Sequence, residues 1–228
     1  MLVAGFPAGA WGTNCYVLAA DAGNECVVID PGQDAAKGVD QVVRENKLKP
    51  VAVLLTHGHI DHMWSVLPVC GTYDSTAYIH PADRHLLSDP MAGISPETAA
   101  MLLGGDYTFA EPDDVSELAD GTDLELAGLQ VTVDHTPGHT QGSVTFMTPY
   151  DGPEDVSKLL FSGDVLFAGS IGRTDLPGGD HPTMLRTLAT KILPLADEIV
   201  VLPGHGGQTT IGREKATNPY LQHLETHA

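Results

Sequence analysis

Apolar runs of strand length recur along the chain, and each ends in a turn signal. They are Cys15–Ala19, Cys26–Ile29, Val51–Leu55, Thr76–Ile79, Leu129–Val133, Val144–Met147, Leu159–Phe161 and Ile199–Leu202. Between them lie helix candidates. Ala35–Glu45 carries Ala35, Val39, Val42 and Val43 on one stripe, the spacing of an amphipathic helix. His62–Val69 follows the third run, and Pro81–Leu87 opens with proline at a first helical turn. Pro182–Leu193 and Arg213–His223 complete the set. Strands alternating with helices predict a layered α/β architecture. Residues 88–120, rich in Pro, Gly and Asp, read as a helical excursion with loops near the active site, and Asp151–Ser157 as an exposed hairpin insertion. There is no internal repeat or low-complexity tract.

Composition narrows the function classes. Hydrophobic residues make up 42% of the 228 and charged residues 18%, which suits a packed domain and not a disordered chain. The 11 Lys and Arg against 30 Asp and Glu leave a net charge of −19. That excludes a general nucleic-acid or anionic-membrane surface, which needs basic residues in quantity. An anionic small substrate would need one local cation. Three cysteines, Cys15, Cys26 and Cys70, are too few and too odd for a disulfide framework. No run approaches the ~18 apolar residues of a membrane span. The expectation is a soluble, cytoplasmic protein with no nucleic-acid or membrane partner; nothing fixes its oligomeric state.

The 11 histidines change the picture. The run Val51–Leu55 leads straight into Thr56-His57-Gly58-His59-Ile60-Asp61-His62. In extended chain, positions i, i+2 and i+4 point the same way, so His57, His59 and Asp61 project from one side with His62 adjacent. Three later segments repeat the construction, an apolar run and then a ligand-capable residue in a Gly-rich turn. Leu129–Val133 leads to His139, Leu159–Phe161 to Asp164, and Ile199–Leu202 to His205. If those strands lie side by side, five histidines and two aspartates gather at one sheet edge, where α/β proteins place their sites. Seven such ligands suit two ions. His57, His59 and His139 would hold one, Asp61, His62 and His205 the other, with Asp164 between them. Isolated histidines such as His80, His85, His181, His223 and His227 read as surface or packed residues, and His135 as a residue merely near the site.

The Thr-His-Gly-His-Ile-Asp-His stretch, with His139, Asp164 and His205, resembles the metallo-β-lactamase superfamily. The resemblance extends to Asn14-Cys15-Tyr16 and Val28-Ile29-Asp30-Pro31-Gly32 near the start. It implies a four-layer αβ/βα sandwich of two mixed β-sheets with a dinuclear site at one edge. It also places Asp30 behind the ligand loop, as the residue that orients it; a turn-forming role is the alternative. Ser162–Phe167 followed by Gly172-Arg173-Thr174-Asp175 is similar to the glyoxalase II group, the thioester hydrolases of methylglyoxal detoxification, and more closely to its short bacterial branch. Larger members carry an extra C-terminal helical segment, and a single domain spanning residues 1–228 without it is expected. At two positions where larger members use a Lys and a Tyr against glutathione, this chain has Arg173 and Asp175. Arg173 is therefore the expected substrate-binding cation, with an Arg173–Asp175 pair as the alternative.

The chemistry this implies is attack of a metal-bound hydroxide on a thioester carbonyl, with Asp61 orienting the nucleophile. A thiolate leaves without a strong general acid, which suits a chain that offers none beside the ligands. Two divalent ions are expected, zinc first, with iron and manganese also suited to imidazole and carboxylate. Persulfide dioxygenases share the same seven residues and a Gly-Arg-Thr-Asp stretch, and use one iron on the positions of His57, His139 and Asp164. The run Phe167–Ile171 and the Leu176–Asp180 continuation favour the hydrolase. Superfamily nucleases carry basic exosites or an added domain, which this acidic sequence does not suggest. A non-catalytic metal-binding module would leave the activating carboxylate without a role.

Overall fold

Period-two alternation along the strands sets how the layers stack. In the computed structural model, which describes residues 1–102, 107–151 and 156–225, the chain builds two six-stranded mixed sheets. The first runs in chain order: β1 (Leu2–Ala8), β2 (Thr13–Ala19), β3 (Glu25–Ile29), β4 (Lys49–Leu54), β5 (Thr76–Ile79) and β6 (Val115–Glu117). Its first three strands are antiparallel and the rest parallel. The second sheet starts from β7 (Asp123–Leu126), β8 (Leu129–His135), β9 (Val144–Pro149) and β10 (Lys158–Gly163). A small ribbon follows, β11 (Leu166–Phe167) with β12 (Ser170–Ile171). Then β13 (Val200–Pro203) pairs parallel to β10, and β14 (Thr209–Thr210) closes that edge.

Alternate residues of each strand enter different cores. Leu18, Val27, Ile29 and Leu54 of the first sheet meet Val131, Val133, Phe146 and Phe161 of the second. Their chain neighbours Val17, Val28 and Val53 face outward, against Val39 and Val43 of α1 (Ala35–Asn46). Beyond the four-residue α2 (Ile60–Met63), α3 (Val66–Tyr73) adds Val66 and Val69 to that layer. A third core lies on the outer face of the second sheet. There Leu160 and Val201 pack against Met184 of α5 (His181–Thr187), which follows α4 (Pro96–Leu102) in the chain. Leu188 and Ile192 extend that layer, and α6 (Ile211–Thr217) and α7 (Pro219–Glu225) add Ile211 and Leu221. Helix, sheet, sheet, helix is the expected four-layer sandwich. No helix among the described residues is long and apolar enough to cross a membrane.

The departures from the pattern-based expectations have local causes. β1 escapes the pattern because Gly5 and Pro7 interrupt it; Pro7 is tolerated because β1 is an edge strand. β6 is three residues long, and β7 alternates exposed Asp and Glu with half-buried Leu. The expected helix Pro81–Leu87 is a single turn of 3-10 helix over Arg84–Leu87, because His80 Nδ1 accepts from Ala82 N at 3.2 Å and holds a turn instead. His62–Val69 divides between α2 and α3, since Ser65 turns away to bond the Pro31 and Gly32 carbonyls. Within 88–120, α4 supplies the expected helical excursion. The tip of the 151–157 insertion, residues 152–155, and His227 lie outside the described residues.

Candidate metal centre

Each ligand-capable side chain stands where a strand of one of the two sheets runs out. β4 ends at Leu54, and His57 and His59 follow in extended backbone before α2 begins. Asp61 sits in the first turn of that helix and His62 one residue on, where a carboxylate is favoured by the orphan amides and dipole. The second sheet contributes His139 after β8, Asp164 at the end of β10 and His205 after β13. All seven expected ligands converge. The ring nitrogens of His57, His59 and His139 lie within 4.8 Å of one another, as do the ligand atoms of Asp61, His62 and His205. Asp164 sits between the two sets, 3.3 Å from His62 Nε2, 3.6 Å from His139 Nε2 and 3.7 Å from His205 Nε2.

Close packing at this edge depends on glycine. A Cβ on Gly204 would fall 2.3 Å from Asp164 Oδ1 and 2.6 Å from His62 Cε1, so no other residue fits between the β10 and β13 turns. The start of β2 fixes the His205 turn. Asn14 Nδ2 donates to the Pro203 and Gly206 carbonyls at 2.9 Å, and the Tyr16 hydroxyl to Pro203 O at 2.7 Å.

Hydrogen bonds behind the ligands decide which nitrogen each ring turns inward. Asp30 is 2% exposed and has φ 47°, a left-handed backbone unusual outside glycine. From there its carboxylate accepts from Thr56 N at 2.8 Å and Thr56 Oγ1 at 2.6 Å, and meets His62 Nδ1 at 3.0 Å. The Thr56 hydroxyl, having donated to Asp30, accepts from His57 Nδ1 at 3.1 Å. His139 Nδ1 donates to the Arg173 carbonyl at 2.7 Å. His57, His62 and His139 therefore all hold a proton outward on Nδ1 and turn Nε2 toward the centre.

The inward atoms are short of partners. His59 Nδ1 faces His57 Nε2 at 3.1 Å and His139 Nε2 at 2.8 Å, so three nitrogens share at most one proton. His62 Nε2 and Asp164 Oδ1 are buried without a hydrogen-bond partner. Burial and the neighbouring imidazoles push His57 well below the usual histidine range. The same two causes, burial first and then His139, lower His59 to about 3, keeping both rings neutral. Burial would lower His62 as well, but Asp164, Asp61 and Asp30 surround it and raise it well above the usual range. Burial would raise Asp61 and Asp164; the histidines beside them, His62 foremost, hold both carboxyls below the ordinary value. Inward-turned imidazole nitrogens, carboxylates held below their ordinary values and buried inward atoms short of partners, in two triads with a shared acid, suit a dinuclear metal site.

The centre floors a cleft of about 410 Å³ whose walls include Trp11, Ile94, Phe167, Leu176 and Arg173. Arg173 forms the alternative pair, with Nε and Nη2 each 2.7 Å from the Asp175 carboxylate, and its backbone orients His139. Sequence reasoning passed over Thr13, whose hydroxyl meets Asp61 Oδ2 at 3.1 Å, and Thr56. Thr56 directly precedes His57, the one signal that could have drawn attention to it. His135 and His80 stack on each other with ring centroids 4.1 Å apart.

The family description "Metallo-beta-lactamase superfamily" matches residues 8–205. This chain belongs to that superfamily. An uncharacterized protein of Mycobacterium tuberculosis is 48% identical, covering 98% of this chain and 99% of its own length. The hydroxyacylglutathione hydrolase GloC of Haemophilus influenzae is 35% identical, covering 94% and 95%. Among solved structures, the BLEG-1 B3 metallo-beta-lactamase superposes with TM-score 0.81 at 42% identity, covering 96% and 99%. A di-iron-bound form of TTHA1623 gives TM-score 0.75 at 36% identity, covering 97% and 100%. Superfamily membership and the metal-suited cluster make the chain a metallo-hydrolase-type protein; TTHA1623 shows that a relative's centre holds two irons.

Proposed function

We propose that this protein hydrolyses thioesters of a low-molecular-weight thiol, the reaction type of hydroxyacylglutathione hydrolases. The observation that carries the reading is the convergence of two ligand triads, Asp61 in one of them, at the floor of an open cleft. The relation to GloC supports the thioester. Divalent ions in such a site supply a water acidified toward neutral pKa and a Lewis acid for the carbonyl. Asp61 is the catalytic carboxylate of this reading. Its Oδ2 is held by Thr13 Oγ1 and by His205 Nε2, each at 3.1 Å, and the carboxylate faces the cleft, where it can accept a hydrogen bond from the nucleophile and aim it. A thiol of ordinary pKa, about 8.5, departs as the thiolate, so no acid is required opposite Asp61. An amide nitrogen would need protonation on leaving, and among the described residues Arg173 is the only permanently cationic side chain on the walls of this cleft.

The test is a side-by-side assay on protein of measured metal content. S-lactoylglutathione, a chromogenic β-lactam and glutathione persulfide are the substrates, with oxygen uptake followed for the last. Zinc, iron or manganese near two equivalents with thioester turnover far above the other two supports the reading. One equivalent of iron with rapid oxygen uptake replaces it with persulfide oxidation. Metal bound without turnover of any of the three leaves a metal-binding module.

A further inference from the structure

We infer that Asp83 is the positioning residue of one ion set alone: it locks the His57/His59 loop against the His139 loop and so builds the first metal position without touching the second. Asp83 is 2% exposed and lies in the turn after β5, away from every ligand in sequence. Its carboxylate reaches across to two separate ligand loops. Oδ2 accepts from Gly58 N at 2.9 Å, the residue between His57 and His59. The same oxygen accepts from Thr140 Oγ1 at 2.6 Å, and Oδ1 from Gly142 N at 2.7 Å, both in the loop that carries His139. A Cβ on Gly142 would stand 2.5 Å from Asp83 Cγ, so the glycine is what lets the carboxylate reach the backbone. Gly58 shares its segment with Asp61 and His62, but it lies between the two first-set histidines, and none of the three donors belongs to the segments carrying Asp164 or His205.

The second set has a different scaffold. His205 is held from the start of β2 through Asn14 and Tyr16, and Asp61 by Thr13. Asp30 is common ground, orienting His57 through Thr56 and His62 directly. The two metal positions therefore differ in what supports them, and Asp83 serves one side.

An asparagine cannot replace this acid. With its NH2 at the Oδ1 position it opposes the Gly142 N–H; flipped, it opposes the Gly58 N–H, while the Thr140 hydroxyl can turn to accept. Either way one buried donor faces another. The Asp83→Asn variant should let the two loops part and weaken the first ion by about 10–100-fold, the range for groups that orient metal ligands.

This inference rests on the dinuclear reading, and the experiment separates the two. Full-length protein stripped of metal is titrated with Zn(II) alone against a chromogenic chelator. Wild-type protein that takes up fewer than two zinc ions ends the dinuclear reading itself. If wild type binds two, Asp83→Asn is placed in two backgrounds. In His205→Ala, where the second set lacks a ligand, it should lower affinity for the remaining ion about 10–100-fold. In His139→Ala, where the first set is broken, it should leave the remaining ion within about twofold. Equal losses in both backgrounds, or none in His205→Ala, overturn the assignment. Should Asp83→Asn fail to fold, Thr140→Val removes one of the three donors at constant shape; it should show a smaller loss, again only in His205→Ala, and a loss of equal size in both backgrounds overturns the assignment in the same way.

Discussion

Asp30 orients one ligand of each proposed ion, so its removal is the sharpest single perturbation of the centre. In Asp30→Ala, Thr56 N–H and His62 Nδ1–H lose their acceptor inside a region that water does not reach. The Thr56 hydroxyl keeps a partner by turning to donate to His57 Nδ1 at 3.1 Å, with the His57 proton moving to Nε2. Two orphaned buried donors cost about 1–3 kcal/mol each, or about 4 kcal/mol at the centre of that range. Alanine also tolerates the left-handed backbone at this position less well than aspartate does. For a chain of this length, about 1 kcal/mol moves the melting temperature by about 2–4 °C, so the metal-free variant should melt about 8–16 °C below the parent. Calorimetric melts of both proteins after exhaustive chelation give the number. Adding zinc back should recover less than in the parent, because His62 has lost the bond that turns Nε2 inward and His57 now holds its proton on Nε2, where the ion would bind. Metal-free proteins melting within about 2 °C of each other would refute this reasoning, since the three contacts would then contribute nothing net.

Asp61→Asn should cut thioester turnover about 10–100-fold or more, the range for groups that orient a metal site, while the melting temperature of the metal-free protein stays close to the parent's; near-normal turnover would remove it from the reaction. His62 is raised above the usual histidine range by Asp164, Asp61 and Asp30, so at neutral pH with no metal bound it carries a second proton, on Nε2, besides the one Nδ1 gives to Asp30. Coordination needs the bare Nε2, so ion loading should release that proton and affinity should rise with pH until the raised value is passed. Zinc calorimetry in buffers of different ionisation enthalpy reads this directly, and buffer-independent heats would contradict it. Arg173→Ala should raise KM for anionic thioesters with kcat little changed; an unchanged KM would leave Arg173 as a partner of Asp175 only.

Much of this centre was legible because the chain writes it four times over. His57 to His62, His139, Asp164 and His205 each follow an apolar run that stops at a glycine-containing turn, and strand ends of a layered α/β sandwich meet along one edge. What sequence alone did not reveal is the support beyond Asp30. Asp83 and Thr13 sit 25 and 48 residues from the groups they hold, and nothing in their immediate neighbours distinguishes them from other turn residues. Long-range pairing of a polar side chain with a backbone amide leaves no periodic trace. Edge strands β1, β6 and β7 were hidden for a related reason. Their residues pack on one side at most, so Pro7, Ser116 and Glu125 survive where a central strand would exclude them.

Each ion set draws ligands from both sheets. His57 and His59 follow β4 of the first sheet and His139 follows β8 of the second; Asp61 and His62 belong to the first and His205 to the second. The inner core of Leu18, Ile29, Val133 and Phe146 closes the sandwich along its length, but at the ligand edge apolar packing gives way to imidazoles and carboxylates. Without cations that edge holds converging lone pairs on His57, His59 and His139, and acids gathered around one protonated His62. The outward hydrogen bonds from Asp30, Thr56 and the Arg173 carbonyl prevent the rings from relieving this by turning away. The fold thus spends stability on keeping ligand nitrogens bare, and bound ions return it by linking the two sheets at the edge the core does not reach.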